Sequence, residues 1–192
     1  MYDFMQYIFP NEQRDLINKL EYEFNIKNNH IFFMMHNEEI ASIIKYAKYG
    51  KHPASFMQIG LIMGDILRSR KVDGDIIVFV PMHKIDEQKR GFNQSMILAK
   101  AISSETGIKL CTNALIKKKR TKKQASLNGV MRRYSQNGVF KAYDQLTAGK
   151  RILLVDDIFT TGSTLNECKK ELIDKGASEV IFITVSRNEK LI

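Results

Sequence analysis

Residues 151–164 carry the side chains of this sequence that are best suited to bind a phosphorylated sugar. They read R-I-L-L-V-D-D-I-F-T-T-G-S-T, so an apolar run is followed by two acids and a loop of hydroxyl residues and glycine. Two adjacent carboxylates can accept hydrogen bonds from neighbouring ribose hydroxyls. A Gly/Ser/Thr loop that opens a helix offers backbone N–H groups and the positive end of the helix dipole to a phosphate. An Asp-rich turn with a Ser/Thr helix cap is the alternative, and the order of the pieces favours the sugar-phosphate site.

Two buried strands are predicted to position these polar residues. Residues 152–155 are continuously apolar, which predicts a strand that is buried on both faces and ends at the two acids. Residues 75–80, D-I-I-V-F-V, predict a second buried strand that Pro81 stops. Ligands of open α/β sheets bind at the carboxyl ends of the strands. We therefore expect the segment V-P-M-H-K, residues 80–84, to lie at the same sheet edge as the two acids.

The remaining pattern alternates between strands and helices along the whole chain. Strands are also predicted at residues 31–35, 138–143 and 179–185, and helices at residues 12–25, 38–48, 55–69, 94–104 and 164–175, the last with Gly176 as its cap. This alternation predicts an α/β fold with a central, mostly parallel sheet flanked by helices. The length of 192 residues, 44% of them hydrophobic, predicts a single domain over residues 1–192. Residues 1–30 would form a helical extension and residues 31–190 the core.

Composition indicates a protein of a reducing compartment. No apolar run approaches the roughly 20 residues that span a bilayer, and no secretory signal is visible, so a cytoplasmic location is expected. Cys111 and Cys168 stand in apolar surroundings and are predicted to be buried free thiols. Two isolated cysteines cannot supply a Cys₄ structural zinc site.

The net charge of +9 is concentrated in one part of the chain. Residues 81–133 hold thirteen Lys/Arg against three Asp/Glu, and the charge is densest at residues 117–123. Residues 117–135 have little core-forming power and predict a loop or hood element. One interpretation is a solvated loop, and the other is a site for an anion, either pyrophosphate or a nucleic-acid backbone. The basic run has no aromatic residue before Tyr134, which weakens the single-strand nucleic-acid interpretation.

Four segments of the sequence resemble a known family. The segment V-D-D-I-F-T-T-G-S-T resembles the phosphoribosyl-diphosphate (PRPP) signature of type I phosphoribosyltransferases. Residues 80–95, V-P-M-H-K…K-R-G-F-N-Q-S, and residues 119–140, K-R-T-K-K-Q-A-S-L…M-R-R…G-V-F, are similar to the competence protein F (ComF) branch, as is I-I-K-Y-A-K-Y-G at 43–50. The resemblance extends over about residues 31–187. Many ComF-like proteins begin with a C-x-x-C zinc ribbon, and this chain departs from that pattern.

The resemblance implies a type I phosphoribosyltransferase fold with a small hood or flexible basic loop, and it implies site residues. Asp156 and Asp157 would orient the ribose, with Arg90 as a further catalytic group. The 5′-phosphate would be bound by Thr160, Thr161, Gly162, Ser163 and Thr164. The pyrophosphate would be bound by Met82, His83 and Lys84. Contacts with pyrophosphate or DNA are implied for Lys122, Lys123 and Gln124.

Some roles stay open at the level of sequence. His83 is a polar loop residue or phosphate donor in one interpretation and a general base in the less favoured one. Phe92 and Asn93 either line an acceptor pocket or begin the following helix. Mg²⁺ is expected as a cofactor held mainly by PRPP oxygens and water, so no protein metal ligand is assigned.

Three hypotheses of function follow from the resemblance. The first is a phosphoribosyltransferase that uses PRPP and an unidentified nitrogenous acceptor. The second is a DNA-uptake factor for natural transformation, which binds single-stranded DNA and a DNA-uptake helicase or other competence proteins. The third is a regulatory PRPP sensor without turnover. Fold resemblance supports PRPP binding more than it supports any acceptor, and the oligomeric state, a dimer included, is left open.

Overall fold

The fold is built around a five-stranded sheet, whose strands lie side by side in the order Asn25–Ile26, His30–Met35, Glu179–Arg187, Arg151–Phe159 and Ile76–Phe79. The computed structural model describes residues 17, 20–50, 52–119 and 138–188. The strands of the sheet are β1 Asn25–Ile26, β2 His30–Met35, β3 Ile76–Phe79, β6 Arg151–Phe159 and β7 Glu179–Arg187. Strands β2, β7, β6 and β3 are parallel, and β1 is antiparallel to β2. The carboxyl ends of the four parallel strands therefore meet at one edge.

Helices cover both faces of this sheet. They are α1 Glu38–Tyr49, α2 Pro53–Ser69, α3 Lys84–Arg90, α4 Gln94–Thr106, α5 Asp144–Thr147 and α6 Ser163–Asp174. A separate two-stranded antiparallel hairpin is formed by β4 Leu115–Lys117 and β5 Phe140–Ala142. The predicted α/β fold with a mostly parallel sheet between helices is confirmed. The strands and helices predicted at residues 31–185, other than the one at 152–155, begin and end within two residues of the observed ones.

Two hydrophobic layers hold the helices to the sheet. Helices α1, α2 and α4 pack on the face that includes Phe33 and Leu153, whereas α6 and the hairpin pack on the face that includes Leu154. Helix α4 lies very close to α2, because a Cβ atom added at Gly60 would be 2.7 Å from the Cβ of Ala101. Only glycine permits such an approach of two helices. The first turn of α4, which reaches the sheet edge, is thereby held in place.

Strand β6 is longer than the apolar run predicts. The sequence predicts a strand over residues 152–155 that ends before the two acids, yet β6 continues through both acids to Phe159. The extension is stabilised by the ladder with β7, in which Asp156 pairs with Thr184 and Phe159 pairs with Arg187. Backbone hydrogen bonds to a neighbouring strand do not require apolar side chains, so hydropathy alone does not locate the strand end.

The predicted helix at residues 12–25 is wrong over its last part. Residues 20–24 lie outside helix and strand, and Asn25–Ile26 forms β1 of a hairpin with β2. Asn28 and Asn29 form the turn with φ values of 51° and 56°, which is the left-handed conformation that asparagine tolerates in two-residue hairpins. Residues 1–16 and 18–19 of the predicted helical extension lie outside the described residues.

Two further expectations concern the cysteines and the helices. Cys168 is a buried free thiol as predicted, whereas Cys111 is free but only partly buried, because it follows the edge of the sheet. Within the described ranges, no helix combines the length and the apolar character needed to cross a membrane.

Candidate functional site

Polar side chains from four elements converge at the carboxyl edge of the sheet. Asp156 and Asp157, called here the carboxylate pair, lie near the end of the central strand β6. Ser95 comes from the first turn of α4 and Lys48 from the last turn of α1, so both helices deliver a polar group to the pair. The loop of residues 160–162 follows β6 at the same edge.

Asp156 is held by two hydrogen bonds and carries a raised pKa. Its Oδ1 atom accepts a hydrogen bond of 2.7 Å from Ser95 Oγ and another of 2.9 Å from the backbone N–H of Asp157. Burial, together with the negative charge of Asp157, raises the pKa of Asp156 from 3.8 to about 7. The Ser95 hydrogen bond opposes this rise because it stabilises the charged form. Burial and the neighbouring charge therefore favour the protonated form of Asp156.

Asp157 is held by an ion pair. Its Oδ2 atom pairs with Lys48 Nζ, and its Oδ1 atom accepts a hydrogen bond of 2.9 Å from the Ile158 backbone N–H. The Asp157 side chain is 8% exposed and the Lys48 side chain is 18% exposed, so the pair is shielded from solvent. His36 lies nearby, hydrogen bonded to Ser186 Oγ at 3.0 Å, and burial lowers its pKa although the charge of Asp157 acts in the opposite direction.

Residues 160–164, called here the hydroxyl loop, lead from the end of β6 into the first turn of α6. Gly162, with φ of +71°, is the cap residue of α6, and Ser163 is the first residue of this helix of 12 residues. The hydroxyls of Thr161 and Ser163 are 2.8 Å apart, and Thr160 and Thr161 are exposed. Thr164 lies in the first turn of α6. The five residues predicted to bind a 5′-phosphate are thus contiguous at the positive end of the helix.

A buried cluster beneath this loop fixes its shape. A Cβ atom added at Gly162 would lie 2.4 Å from Cζ of Phe159, so the ring of Phe159 contacts the loop backbone. The Phe159 ring packs on His30, 4.6 Å between centroids, and lies 4.8 Å from the guanidinium carbon of Arg187. Burial and the charge of Arg187 lower the pKa of His30 to about 3, so His30 is neutral at physiological pH. The loop rests on packed aromatic side chains.

The residues predicted to bind pyrophosphate follow β3 at the same edge. Met82 and His83 lie in the loop after the strand, whereas Lys84 is already the first residue of α3. His83 caps this helix, because its Nδ1 atom accepts a hydrogen bond of 3.3 Å from the Ile85 backbone N–H. This hydrogen bond gives His83 a structural role, and its predicted contact with pyrophosphate stays a prediction. Arg90 NH1 donates a 2.7 Å hydrogen bond to Gln94 Oε1 and lies 3.7 Å from Met82 Sδ.

Two residues whose roles the sequence left open lie just before helix α4. Asn93 begins helix α4: its Oδ1 atom accepts hydrogen bonds from two backbone N–H groups of the first turn, and its Nδ2 atom donates to Val80 O at 3.2 Å. Phe92 packs against the core, with its ring 6.0 Å from that of Phe56. Asn93 therefore caps the helix, whereas Phe92 precedes the cap and packs on the core; a role of either residue in an acceptor pocket stays a prediction. The predicted contacts at 122–124 lie outside the described residues.

Sequence reasoning missed Lys48 and Ser95 as members of the site. Lys48 lies in the segment I-I-K-Y-A-K-Y-G, which resembles a family but does not by itself indicate that Lys48 contacts the two acids. Ser95 lies in a helix that the apolar spacing predicts. Their partners are in β6, more than 60 residues away along the chain, so only the fold reveals the contacts.

Comparison with known proteins agrees with this arrangement. Residues 45–191 match the phosphoribosyl transferase domain. The DNA utilization protein YhgH of Escherichia coli O157:H7 is 30% identical over 124 residues, which cover 62% of this chain and 54% of that protein. The competence protein ComFC of Bacillus subtilis (strain 168) is 32% identical over 117 residues, 59% of this chain and 45% of that protein. The chain spans about half the length of the curated relatives it matches.

A solved structure shares the fold. The glutamine phosphoribosylpyrophosphate amidotransferase from B. subtilis, complexed with ADP and GMP, aligns with a TM-score of 0.50 and 22% identity. The alignment covers 72% of this chain and 30% of that one. The matched domain includes the carboxylate pair, the hydroxyl loop and the loop after β3. The chain therefore belongs to the phosphoribosyl transferase domain family, as a type I member of its ComF branch.

Proposed function

We propose that this chain binds PRPP and transfers its phosphoribosyl group to a nitrogenous acceptor. The observation that carries the proposal is the carboxylate pair, followed within one strand-loop-helix unit by the hydroxyl loop at the start of α6. The acids suit vicinal hydroxyls and the loop suits a phosphate, so a ribose 5-phosphate matches both. The family of the chain supports the same ligand.

The two acids of the carboxylate pair have different contacts and therefore different proposed roles. The ion pair with Lys48 keeps Asp157 in place, while Ser95 fixes the orientation of Asp156. An ionised Asp156 accepts hydrogen bonds from ribose hydroxyls, and these bonds would hold the ring for attack at the anomeric carbon. A negative charge at this point also stabilises positive charge that develops on the ribose.

Groups at the loop after β3 would bind the leaving group. The guanidinium of Arg90, oriented by Gln94, suits an oxygen-rich anion, and Met82, His83 and Lys84 lie on the loop and helix start next to it. In the reaction the acceptor nitrogen forms a bond to the anomeric carbon. The carbon–oxygen bond to pyrophosphate breaks, its electron pair leaves with pyrophosphate, and the proton on the acceptor nitrogen passes to water.

The residues present fit a metal that arrives with the substrate. Among the described residues, no group of three or more His, Cys, Asp or Glu side chains is arranged to hold an ion. Asp157 is engaged by Lys48, so Asp156 is the carboxylate of the pair that would face such an ion. Mg²⁺ bound to the pyrophosphate of PRPP would neutralise negative charge on the leaving group.

Calorimetric titration with PRPP and Mg²⁺ tests the proposal. We expect Asp156→Asn to weaken PRPP binding by about tenfold to a hundredfold, since a hydrogen bond to a charged group contributes roughly 1.5–3 kcal/mol. Asp65→Asn is the matched control, because Asp65 is exposed on α2, and it should bind PRPP like the unmodified chain. No heat of binding with the unmodified chain, or equal affinity in the Asp156 variant, would contradict the proposal. Release of pyrophosphate in the presence of an acceptor separates an enzyme from a sensor.

Single-stranded DNA binding is a second candidate function, and the β4–β5 hairpin favours it. Lys117 Nζ lies 5.5 Å from the Phe140 ring centroid, and Lys141 Nζ lies 4.7 Å from that of Tyr143. Phe140 is buried in the core, whereas Tyr143 is partly exposed beside Lys141, so Tyr143 is the aromatic side chain here that a base could stack on. Relatives of the chain are named for competence and DNA utilization. A DNA-uptake helicase or other competence proteins would then be its partners.

A salt titration with an oligothymidylate tests this second function. Replacing Lys117, Lys118 and Lys119 together with glutamine removes three positive charges from the end of β4. We expect the slope of log affinity against log salt to fall by up to about 2, which corresponds to about 0.7 for each released counterion on a single strand. An unchanged slope would exclude the hairpin from a DNA-binding surface.

A further inference from the structure

Arg187 is a buried arginine at the carboxyl end of β7. It is 4% exposed, and it pairs in the strand ladder with Phe159, the last residue of β6. The backbone N–H of the next residue, Asn188, donates a 2.9 Å hydrogen bond to the carbonyl oxygen of Phe159. Phe159 immediately precedes the hydroxyl loop. The pairing of the two strands therefore places a buried guanidinium where this loop begins.

A chain of hydrogen bonds through uncharged groups holds this guanidinium in place. Arginine can only donate, so NH1 of Arg187 donates to Nδ1 of His30 at 3.0 Å. The proton of the neutral His30 ring is therefore on Nε2, which donates to Thr184 Oγ1 at 2.7 Å. Thr184 Oγ1 donates in turn to the carbonyl oxygen of Ser186 at 3.2 Å. The position of Arg187 is thus fixed without any contribution from a negative charge.

The described neighbours of Arg187 are aromatic and polar, and none of them is an anion. Its guanidinium carbon lies 4.8 Å from the centroid of the Phe159 ring and 5.7 Å from that of Phe32. Its Nε atom is buried and has no hydrogen-bond partner in the described part of the chain. No carboxylate within the described ranges forms an ion pair with it. Since arginine stays protonated in proteins, a positive charge is buried here without an opposite charge beside it.

The Phe159 ring connects this charge with the hydroxyl loop. A Cβ atom added at Gly162 would lie 2.4 Å from Cζ of Phe159 and 2.9 Å from its Cε2 atom. The ring that lies against the Arg187 guanidinium is therefore also in contact with the backbone of the loop. Through a packed interior of low dielectric constant, a charge acts on an anion more strongly than it does through water.

We propose that Arg187 is a positioning residue for the 5′-phosphate: it supports the hydroxyl loop through Phe159, and its buried charge attracts the phosphate that binds to the loop. This inference rests on the proposed function, because it needs a phosphate at the hydroxyl loop. Arg187 does not touch the ligand. The free chain carries a buried charge without an anionic neighbour, and a bound phosphate supplies the missing negative charge.

Calorimetric titration with ribose 5-phosphate and with ribose 5-sulfate at about pH 7.5 tests the inference. The two ligands have nearly the same shape, but the phosphate carries almost two negative charges at this pH and the sulfate carries one. Arg187→Met should weaken binding of the phosphate by about tenfold and of the sulfate by about threefold, since the Coulomb attraction scales with the charge of the ligand. Arg187→Lys keeps the charge and should retain most of the affinity. Equal weakening of both ligands would indicate a structural role alone, and it would overturn the inference, as would unchanged affinities.

Arg151 provides a matched control at the opposite end of the same two strands. It is the first residue of β6, and its Nε atom forms an ion pair of 2.9 Å with Glu179, the first residue of β7. Arg151→Met removes the same charge at the amino end of the strand. Both ligands should therefore bind Arg151→Met and the unmodified chain within about twofold of each other. A loss in Arg151→Met as large as that in Arg187→Met would overturn the inference, because it would reflect the net charge of the chain.

The melting temperature of the free chain gives a second readout. Arg187→Met should melt at the temperature of the unmodified chain or above it, because an apolar side chain replaces a buried charge that has no opposite charge beside it. A purely structural role predicts that stability and affinity fall together. A melting temperature well below that of the unmodified chain, or failure of Arg187→Met to fold, would show that the free chain already compensates the charge, and would overturn the inference.

A parallel titration with PRPP and Mg²⁺ separates this inference from the proposed function. Equal binding of PRPP by the unmodified chain and by Arg187→Met would overturn the inference alone. Binding of ribose 5-phosphate that depends on Arg187, without any binding of PRPP, would overturn the proposed function and support the role of Arg187. Absence of binding by all three ligands would overturn both.

Discussion

Replacing Asp156 with asparagine is predicted to remove a pH-dependent part of the stability of the fold. Burial and the charge of Asp157 raise the pKa of Asp156 from 3.8 to about 7 in the folded chain. In the unfolded chain this carboxyl ionises near 3.8, so between these two pH values the folded chain retains a proton that the unfolded chain has lost. The stabilisation is complete below about pH 4 and is lost as the pH rises through about 7.

The size of the effect follows from the width of this window. Each pH unit inside it changes the free energy of unfolding by about 1.36 kcal/mol per proton. Between pH 5 and pH 8 the contribution of Asp156 should therefore fall by about 2.5 kcal/mol. Asparagine keeps an oxygen that accepts from Ser95 and the Asp157 backbone but carries no titratable proton.

Urea unfolding of both chains at pH 5 and pH 8 measures the effect. Other groups titrate as well: the pKa values of His30 and His36 are lowered, and that of Glu167 is raised to about 7, by burial above all. These contributions are common to both chains and cancel when the pH dependence of the variant is subtracted from that of the unmodified chain. A remaining difference of about 2.5 kcal/mol is expected. The same pH dependence in both chains would refute the reasoning.

Three further substitutions probe the supports of the site. Lys48→Met leaves Asp157 buried without its partner and should lower the free energy of unfolding by about 3–5 kcal/mol in urea titrations, and a loss under about 1 kcal/mol would contradict a shielded ion pair. Gly162→Ala places a side chain at a φ of +71° and against the Phe159 ring. Thermal unfolding should show that the free energy of unfolding falls by about 1–3 kcal/mol, and calorimetry should show a weaker affinity for PRPP. An unchanged stability and affinity would contradict the packing of the loop on Phe159. Glu171→Ala removes the acceptor of a 3.0 Å hydrogen bond from the β5 backbone, so the free energy of unfolding should fall by about 1 kcal/mol. Glu171→Gln keeps an acceptor oxygen and should retain most of that stability. Equal stability of the two variants would argue against the hydrogen bond.

The fold was largely predictable because buried strands and amphipathic helices leave simple patterns. The apolar runs at 75–80 and 152–155 predict β3 and the centre of β6, and the helices that cover them follow from apolar spacing. The end of β6 was not predictable, because the pairing of its polar residues with β7 depends on backbone hydrogen bonds. The β1–β2 hairpin was missed because Leu20 and Phe24 have helical spacing, yet both pack on the core without a helix.

The candidate site was predictable only where its residues adjoin in sequence. The carboxylate pair and the hydroxyl loop lie within one segment, so their chemistry is evident from their order. Lys48 and Ser95 act on the pair through tertiary contacts that no local pattern encodes. The stacking of Arg90 on Tyr49 likewise joins residues 41 positions apart. Local sequence identified the groups that we propose to bind the sugar phosphate, and the packing of the helices brought Lys48 and Ser95 into contact with them.

The most direct test of the central claim is a crystal structure of the chain with PRPP and Mg²⁺. The ribose hydroxyls should lie within hydrogen-bond distance of the carboxylate pair, and the 5′-phosphate should be bound by the loop of residues 160–164 at the start of α6. A sugar phosphate bound away from the carboxylate pair would contradict the account.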